Sequence, residues 1–330
     1  MSQDKIIDSL CYVPTLEVMT DLIVSLPPQM ARYLKDVFGP RIAPLMGMKA
    51  EELYRLKISL SPGELARKLR PALEPLTMDA GDFIGQLDDM SVEKAVIFNL
   101  DETSVSGIQG LPNDYFANLV QAWPERFVGF AGIDPSSPMA AVREIRRCYD
   151  RGLRGVALRP FIFGLPPTHA KMYPIYAACV ELDIPIWFHL SINYSTNTME
   201  VERPIHLDVV AQDFPELKMI AGHGGWPWVA ELVAVAWRNP NIYIDIASYM
   251  PKYLSMPGSG WEPLMNFGNS ILQDQILFGS TWLFMGQSIR QLADGVEELP
   301  LKASVKRKWL YENAARLIGG DKGSSEKIYT

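Results

Sequence analysis

The sequence predicts an α/β protein of the (β/α)8 TIM-barrel class, and three observations carry that expectation. Short apolar runs rich in β-branched residues recur along the chain, each followed by a polar or glycine-containing break and a helical stretch. The runs are apolar throughout instead of alternating, as parallel strands covered on both faces must be. Eight of them can be counted, and strand–helix alternation repeated eight times implies a parallel sheet that closes on itself. The 330 residues, 48% of them hydrophobic, suffice for one such barrel, so a single domain spanning 1–330 is expected.

The eight runs are KIIDSLCYV from Lys5, KAVIFNLD from Lys94, FVGFAGID from Phe127, GVALRP from Gly155, IPIWFHLS from Ile184, LKMIAGHG from Leu217, NIYIDIAS from Asn241 and QILFGSTW from Gln275. Helix candidates separate most of them. NDYFANLVQAWPERF offers Asn113 as a cap and ends near Pro124, and PMAAVREIRRCYDRG closes on Gly152, a residue suited to a helix C-terminus. MYPIYAACVELD, RPIHLDVVAQDFP and WPWVAELVAVAWRNP repeat the pattern. Residues 14–89 break the rhythm with several short helical patterns, MARYLKDVF, AEELYRLKI, PGELARKLRPAL and DAGDFIGQLDDM, divided by prolines and glycines. An insertion after strand 1 emerges at the C-terminal mouth of a barrel, where it serves as a cap or as an arm for a homo-oligomer contact. The polar stretch 320–330 is expected to be a flexible tail.

Composition excludes several classes. A net charge of −7 and an isoelectric point near 5.3 lack the basic footprint of a nucleic-acid binder. No apolar run has the length of a membrane span, and the opening MSQDKIIDSL does not read as a signal peptide. Three widely spaced cysteines, Cys11, Cys148 and Cys179, suggest buried thiols and a reducing, cytoplasmic setting. The expected partner is a small-molecule substrate, with no nucleic acid and no membrane.

In such a barrel, function collects at the C-terminal strand ends. The candidates there are Tyr12 on strand 1, Asn99 and Asp101 on strand 2, Asp134 on strand 3, Arg159 on strand 4, His189 on strand 5 and His223 on strand 6. Asp245 and Ser248 follow on strand 7, and Ser280, Thr281 and Trp282 on strand 8. Two of the four histidines thus fall on adjacent strand ends, while His169 and His206 fit ordinary surface or capping positions.

The runs FVGFAGIDP, GLRGVALRP, IPIWFHLS, AGHGGWPWVAELVAVAWRNPNIYIDI, ILFGS and ENAARLIG, in this order and spacing, resemble the amidohydrolase-related family that includes the aminocarboxymuconate semialdehyde decarboxylase-like enzymes. The resemblance covers nearly the whole chain. It implies a metal-dependent hydrolase or decarboxylase, with His189 at the family's strand 5 metal histidine and His223 at its acid–base histidine. It also exposes departures. Where family members carry Asp-x-His-x-His, this chain has Asp8, Ser9, Leu10, Cys11 and Tyr12; where they carry an aspartate after Phe-Gly-Ser, it has Thr281.

A catalytic zinc site needs about three protein ligands, and leucine, tyrosine and threonine are poor replacements. No metal cofactor is therefore expected. The alternative is a relocated divalent metal such as zinc at His189, joined by Asp101 or Asp245. Without a metal, His223 is the expected general acid or base, with His189, Asp245 and Tyr12 completing the catalytic set. Arg159 is expected to grip a substrate carboxylate, with Asn99, Trp226, Thr281 and Trp282 as further substrate-binding residues. The expected function is metal-independent hydrolysis or isomerisation of a small carboxylated or lactone-like substrate. The alternatives are a metal-dependent decarboxylase with a non-standard site and a non-catalytic barrel that binds a small molecule.

Overall fold

A computed structural model describes residues 5–319; the expected tail at 320–330 lies outside them. Eight parallel strands form one sheet in sequential order: β1 (Ile6–Cys11), β2 (Val92–Phe98), β3 (Phe127–Gly132), β4 (Gly155–Leu158), β5 (Ile186–Phe188), β6 (Met219–Ala221), β7 (Ile242–Asp245) and β8 (Ile276–Leu277). Each lies within one of the eight predicted runs except β2, which begins two residues earlier. The barrel closes where Ser9 N donates to Phe278 O at 2.8 Å and Thr281 N donates to Leu10 O at 2.9 Å. A single buried carboxylate reinforces this seam. Asp8 accepts from Leu10 N and Ser280 N and from the Ser280 hydroxyl, and burial raises its pKa to about 6.

Strand pleating divides the core in two. Ile7, Leu10, Val96, Phe98, Phe130, Trp187, Ile220 and Leu277 fill the barrel interior. Cys11, Ile97, Ala131, Phe188 and Ile244 face the surrounding helices. Successive side chains point to opposite faces, so Tyr12, one residue past β1, is turned toward the mouth while Cys11 is turned away. All three cysteines are buried free thiols.

The crossover helices follow the apolar periodicity. Asn113–Ala122, Pro138–Asp150, Tyr173–Glu181, Ile205–Asp213 and Val229–Arg238 cover the barrel's outer face. Asn113 is not the cap expected for the first of these. It sits inside the helix, buried, where its amide donates to Gly132 O and Glu144 and accepts from Gly132 N.

The insertion after β1 opens with a helix the periodicity did not single out, Leu16–Val24, capped by the Thr15 hydroxyl. A single turn at Pro28–Met30, a π-helical turn at Tyr33–Val37 and the helices Ala50–Ser59, Pro62–Leu73 and Ala80–Asp89 follow. Pro62–Leu73 begins with a capping box between Ser61 and Glu64, the reciprocal arrangement that satisfies two otherwise orphaned N–H groups. Most of the insertion packs around its own apolar cluster, which includes Leu26, Met30, Leu34, Leu53, Leu69 and Phe161. That cluster lies over the barrel mouth. Among the described residues, no helix is long and apolar enough to cross a membrane.

Candidate active site

A cavity opens at the C-terminal end of the barrel, roofed by the insertion. Leu10, Tyr12, Phe98, Asn99, Arg159, Trp187, His189 and His223 contribute its floor and walls, and Leu22, Leu26, Met30, Tyr33, Leu34 and Phe38 contribute its roof.

The two histidines meet edge to face, their ring centroids 4.8 Å apart. His223 sits one residue past Gly222 in a left-handed turn with φ of 58°. Asp245, fully buried, fixes that turn: its carboxylate accepts from His223 N at 3.0 Å, Ala247 N at 2.9 Å and Trp187 Nε1 at 2.5 Å. The following Gly224 also has positive φ, and a Cβ there would fall 2.2 Å from the Trp261 ring, so the turn admits no side chain at that position. His223 Nδ1 lies 3.3 Å from Ala247 O. A carbonyl only accepts, so Nδ1 carries the hydrogen and Nε2 is left as the basic atom. Burial and the neighbouring His189 lower the pKa of His223 to about 4, against the opposing pull of Asp245.

His189 is oriented from the other side. Its Nδ1 lies 2.5 Å from Oε1 of Glu202, whose Oε2 accepts from Asn193 Nδ2 at 2.6 Å. Glu202 is fully buried, and burial pushes its carboxyl well above the ordinary range. Burial, aided by the charge of Arg159, lowers His189 to about 3. Burial thus favours the neutral form of both imidazoles.

Arg159 gives Nε and Nη2 to the two carboxylate oxygens of Glu102, each at 2.5 Å. Burial works against the guanidinium's charge, but Glu102 outweighs it and holds the pKa above its ordinary value. Asp134, at the end of strand 3, accepts from Ser136 N. Tyr12 packs between Phe98 and Phe284, at 5.2 and 5.0 Å, and burial pushes its hydroxyl pKa up.

The structure brings together Tyr12, Asn99, Arg159, His189 and His223 around one cavity. Asn99 is held by its amide to Leu111 O and Asn113, which gives it a structural duty there. Four expected residues are placed otherwise. Asp245 lies beneath the mouth and acts on the His223 turn. Trp226 donates to Ser259 O, Trp282 donates to Tyr12 O and stacks on Phe83, and Thr281 binds Ser280 O and Ser248; none of the three lines the cavity. Glu102, Glu202 and the roof residues were not anticipated. Glu102 adjoins the singled-out Asp101, and Glu202 precedes Arg203 in the loop after β5.

The donors facing the cavity do not make a three-ligand metal site. Strand 1 offers Leu10 and Tyr12. Asp101 accepts from Thr103 N and Asp245 is engaged by three N–H groups, and neither lines the cavity beside His189. Among the described residues, no group of three or more His, Cys, Asp or Glu is placed to hold a metal ion.

A family model described as Amidohydrolase matches residues 64–320. Gamma-resorcylate decarboxylase of Polaromonas sp. strain JS666 is 23% identical over 305 residues, spanning 78% of this chain and 93% of that protein. Among solved structures, an uncharacterized TIM-barrel protein of Bordetella bronchiseptica superposes with a TM-score of 0.70 at 24% identity, over 96% of this chain and 98% of its own. A 5-carboxyvanillate decarboxylase from Novosphingobium aromaticivorans, complexed with manganese and 4-hydroxy-3-methoxy-5-nitrobenzoic acid, has a TM-score of 0.61 at 19% identity, with 96% of each chain covered. These structures bear out the barrel with its helices inserted after strand 1. The expected metal-independent hydrolysis or isomerisation is corrected: the relative matched along most of the chain is a decarboxylase, and a decarboxylase of the same fold holds manganese.

Proposed function

This chain belongs to the amidohydrolase family, and we propose that it is a carboxy-lyase that removes carbon dioxide from a small aromatic acid. The observation that carries the reading is the placing of Arg159 beside two neutral imidazoles in a cavity walled by Tyr12, Phe98 and Trp187. An aromatic ring fits the walls, its carboxylate fits the guanidinium, and an imidazole stands ready to handle a proton.

The reaction replaces a ring carboxylate by hydrogen, ArCO2⁻ + H⁺ → ArH + CO2. One proton must reach the ring carbon, and the electron pair of the breaking C–C bond returns to the ring. His223 is assigned as the acid. Its Nδ1 faces Ala247 O, which leaves Nε2 to take up a proton, and the charge of a bound carboxylate favours the imidazolium. The proton taken up there passes to the carbon that loses the carboxylate. Asp245 is a positioning residue that fixes the His223 turn, and Glu202 does the same for His189. Arg159 spends Nε and Nη2 on Glu102, which leaves Nη1 for the substrate carboxylate. Tyr12 packs against the ring from the strand 1 side.

The donor set is non-standard for the family. Leu10, Tyr12 and Thr281 stand where the resemblance gives metal-binding histidines and a carboxylate, and these side chains do not fit the metal ion of that family. Metal content after purification without chelator reads this directly. Substoichiometric metal supports the reading of the donor set, whereas one tightly held ion per chain overturns it and leaves the carboxy-lyase assignment standing. The insertion is read as a cap over the site, within a single domain.

The test of function is carbon dioxide release from a panel of hydroxylated, aminated and methoxylated aromatic acids, with His223→Asn as control. Release by the wild type and its loss in the variant support the reading. Binding of the acids without any release overturns it.

A further inference from the structure

The roof of the cavity contains a carboxylate that the chemistry above does not use. The helix Leu16–Val24 and its C-cap Ser25 turn Val18, Asp21, Leu22 and Ser25 toward the cavity, the spacing that puts residues on one helix face. An acidic group among leucines on a pocket-facing surface is costly to desolvate, and burial, with nearby Glu102, raises the pKa of Asp21. The position is nevertheless built. The loop carrying Gly110 approaches so closely that a Cβ there would lie 3.1 Å from Asp21 Oδ1, and the next residue, Leu111, donates its N–H to that oxygen at 3.1 Å.

The two acidic groups on this wall differ in what they have left to give. Glu102 spends both oxygens on Arg159. Asp21 accepts from Leu111 N at Oδ1, the Ser25 hydroxyl, which donates to Asp21 O at 2.6 Å, also hydrogen-bonds its carboxyl, and no cation pairs with it among the described residues. A carboxylate has about four acceptor sites, so Asp21 keeps acceptor capacity inside the cavity.

We propose that Asp21 is a specificity-determining residue that accepts a hydrogen bond from a donor substituent, hydroxyl or amino, on the ring of an acid whose carboxylate is held at Arg159. The proposal rests on the reading of this cavity as an aromatic-acid site. A site built to accept a donor discriminates sharply against an analogue that lacks one, because the buried acceptor is then left unpaired.

The test is calorimetric affinity for benzoates carrying one hydroxyl, amino or methoxy group at each ring position, on the wild type and Asp21→Asn. Asparagine keeps an oxygen for Leu111 N and turns an NH2 group toward the ligand. The wild type is expected to favour its best hydroxyl or amino benzoate over the matching methoxy compound by about tenfold or more, the scale of leaving one buried acceptor unpaired, and whichever donor binds tighter identifies the substituent. Asp21→Asn is expected to lose that preference while retaining methoxybenzoate binding. Equal affinities in the wild type, or an equal loss for all three compounds in the variant, overturn the proposal. Should Asp21→Asn fail to fold, Asp21→Ser is read by the same criterion. The readout is binding, so the two claims fail separately: discrimination without carbon dioxide release sinks only the carboxy-lyase reading, and release without discrimination sinks only the role of Asp21.

Discussion

His189 Nδ1 lies 2.5 Å from Oε1 of Glu202, a carboxyl group wholly out of contact with solvent. A buried carboxyl is retained against its desolvation cost only where it has a fixed partner, and here it has two, His189 and Asn193. The pair fixes the rotation of the imidazole and dictates which nitrogen faces the cavity.

Glu202→Gln is therefore expected to lower kcat by about 10- to 100-fold, the scale of disturbing a buried hydrogen bond worth about 1–3 kcal/mol. Affinity for substrate should change less than kcat. Steady-state kinetics with an aromatic acid substrate checks this, and a variant with unaltered kcat would remove Glu202 from the working site.

His223→Asn should abolish most turnover, by about 10²- to 10⁴-fold, the range for loss of a general acid. Binding of the acid, read by calorimetry, should survive because Arg159 remains. Loss of binding together with turnover would mean that His223 holds the ligand and does not protonate it.

Arg159→Met is expected to damage both binding and folding, since it leaves Glu102 buried and unpaired; breaking such a pair costs about 3–5 kcal/mol. The double variant Arg159→Met with Glu102→Met should recover stability in urea without recovering affinity for aromatic acids. Recovery of affinity would show that the guanidinium does not anchor the carboxylate.

The depressed pKa of His223 has a consequence for stability. Its folded value of about 4 lies below the ordinary 6.5 or so of the unfolded chain, so between these values the unfolded chain binds more protons. Stability from this group is present above pH 6.5 and falls as pH drops toward 4. Asp8, raised to about 6, acts in the opposite sense, so the comparison must be with a variant. Unfolding free energies from urea titrations between pH 4 and 7 should rise less steeply in His223→Gln than in the wild type, by on the order of 3 kcal/mol across the window. Parallel curves would contradict the depressed pKa.

Much of the barrel was legible because burial on both faces writes itself into strand sequences. All eight strands fall where apolar runs such as FVGFAGID and IPIWFHLS stand, and the strand ends located His189, His223 and Arg159. The partners of those residues were not legible. Glu102 and Glu202 come from loops, where no periodicity links residue 102 to 159 or 189 to 202. Asp245 was expected to act in the cavity because strand-end position does not reveal which N–H groups a carboxylate meets; here His223 N, Ala247 N and Trp187 claim it. Trp226 and Trp282 were expected to bind substrate, yet their indoles donate to Ser259 O and Tyr12 O and neither lines the cavity. The insertion was expected as a cap or an arm, but its helix Leu16–Val24 escaped notice because it lies where no repeat marks it, and Asp21 gains meaning only when Leu111 is folded against it.

The most direct measurement is proton and deuterium NMR of an aromatic acid turned over in D2O, with carbon dioxide measured in the same vessel. Decarboxylation assisted by His223 predicts equimolar carbon dioxide and product, with deuterium at the ring carbon that bore the carboxylate. Conversion of the acid with its carboxyl carbon retained in the product would contradict it.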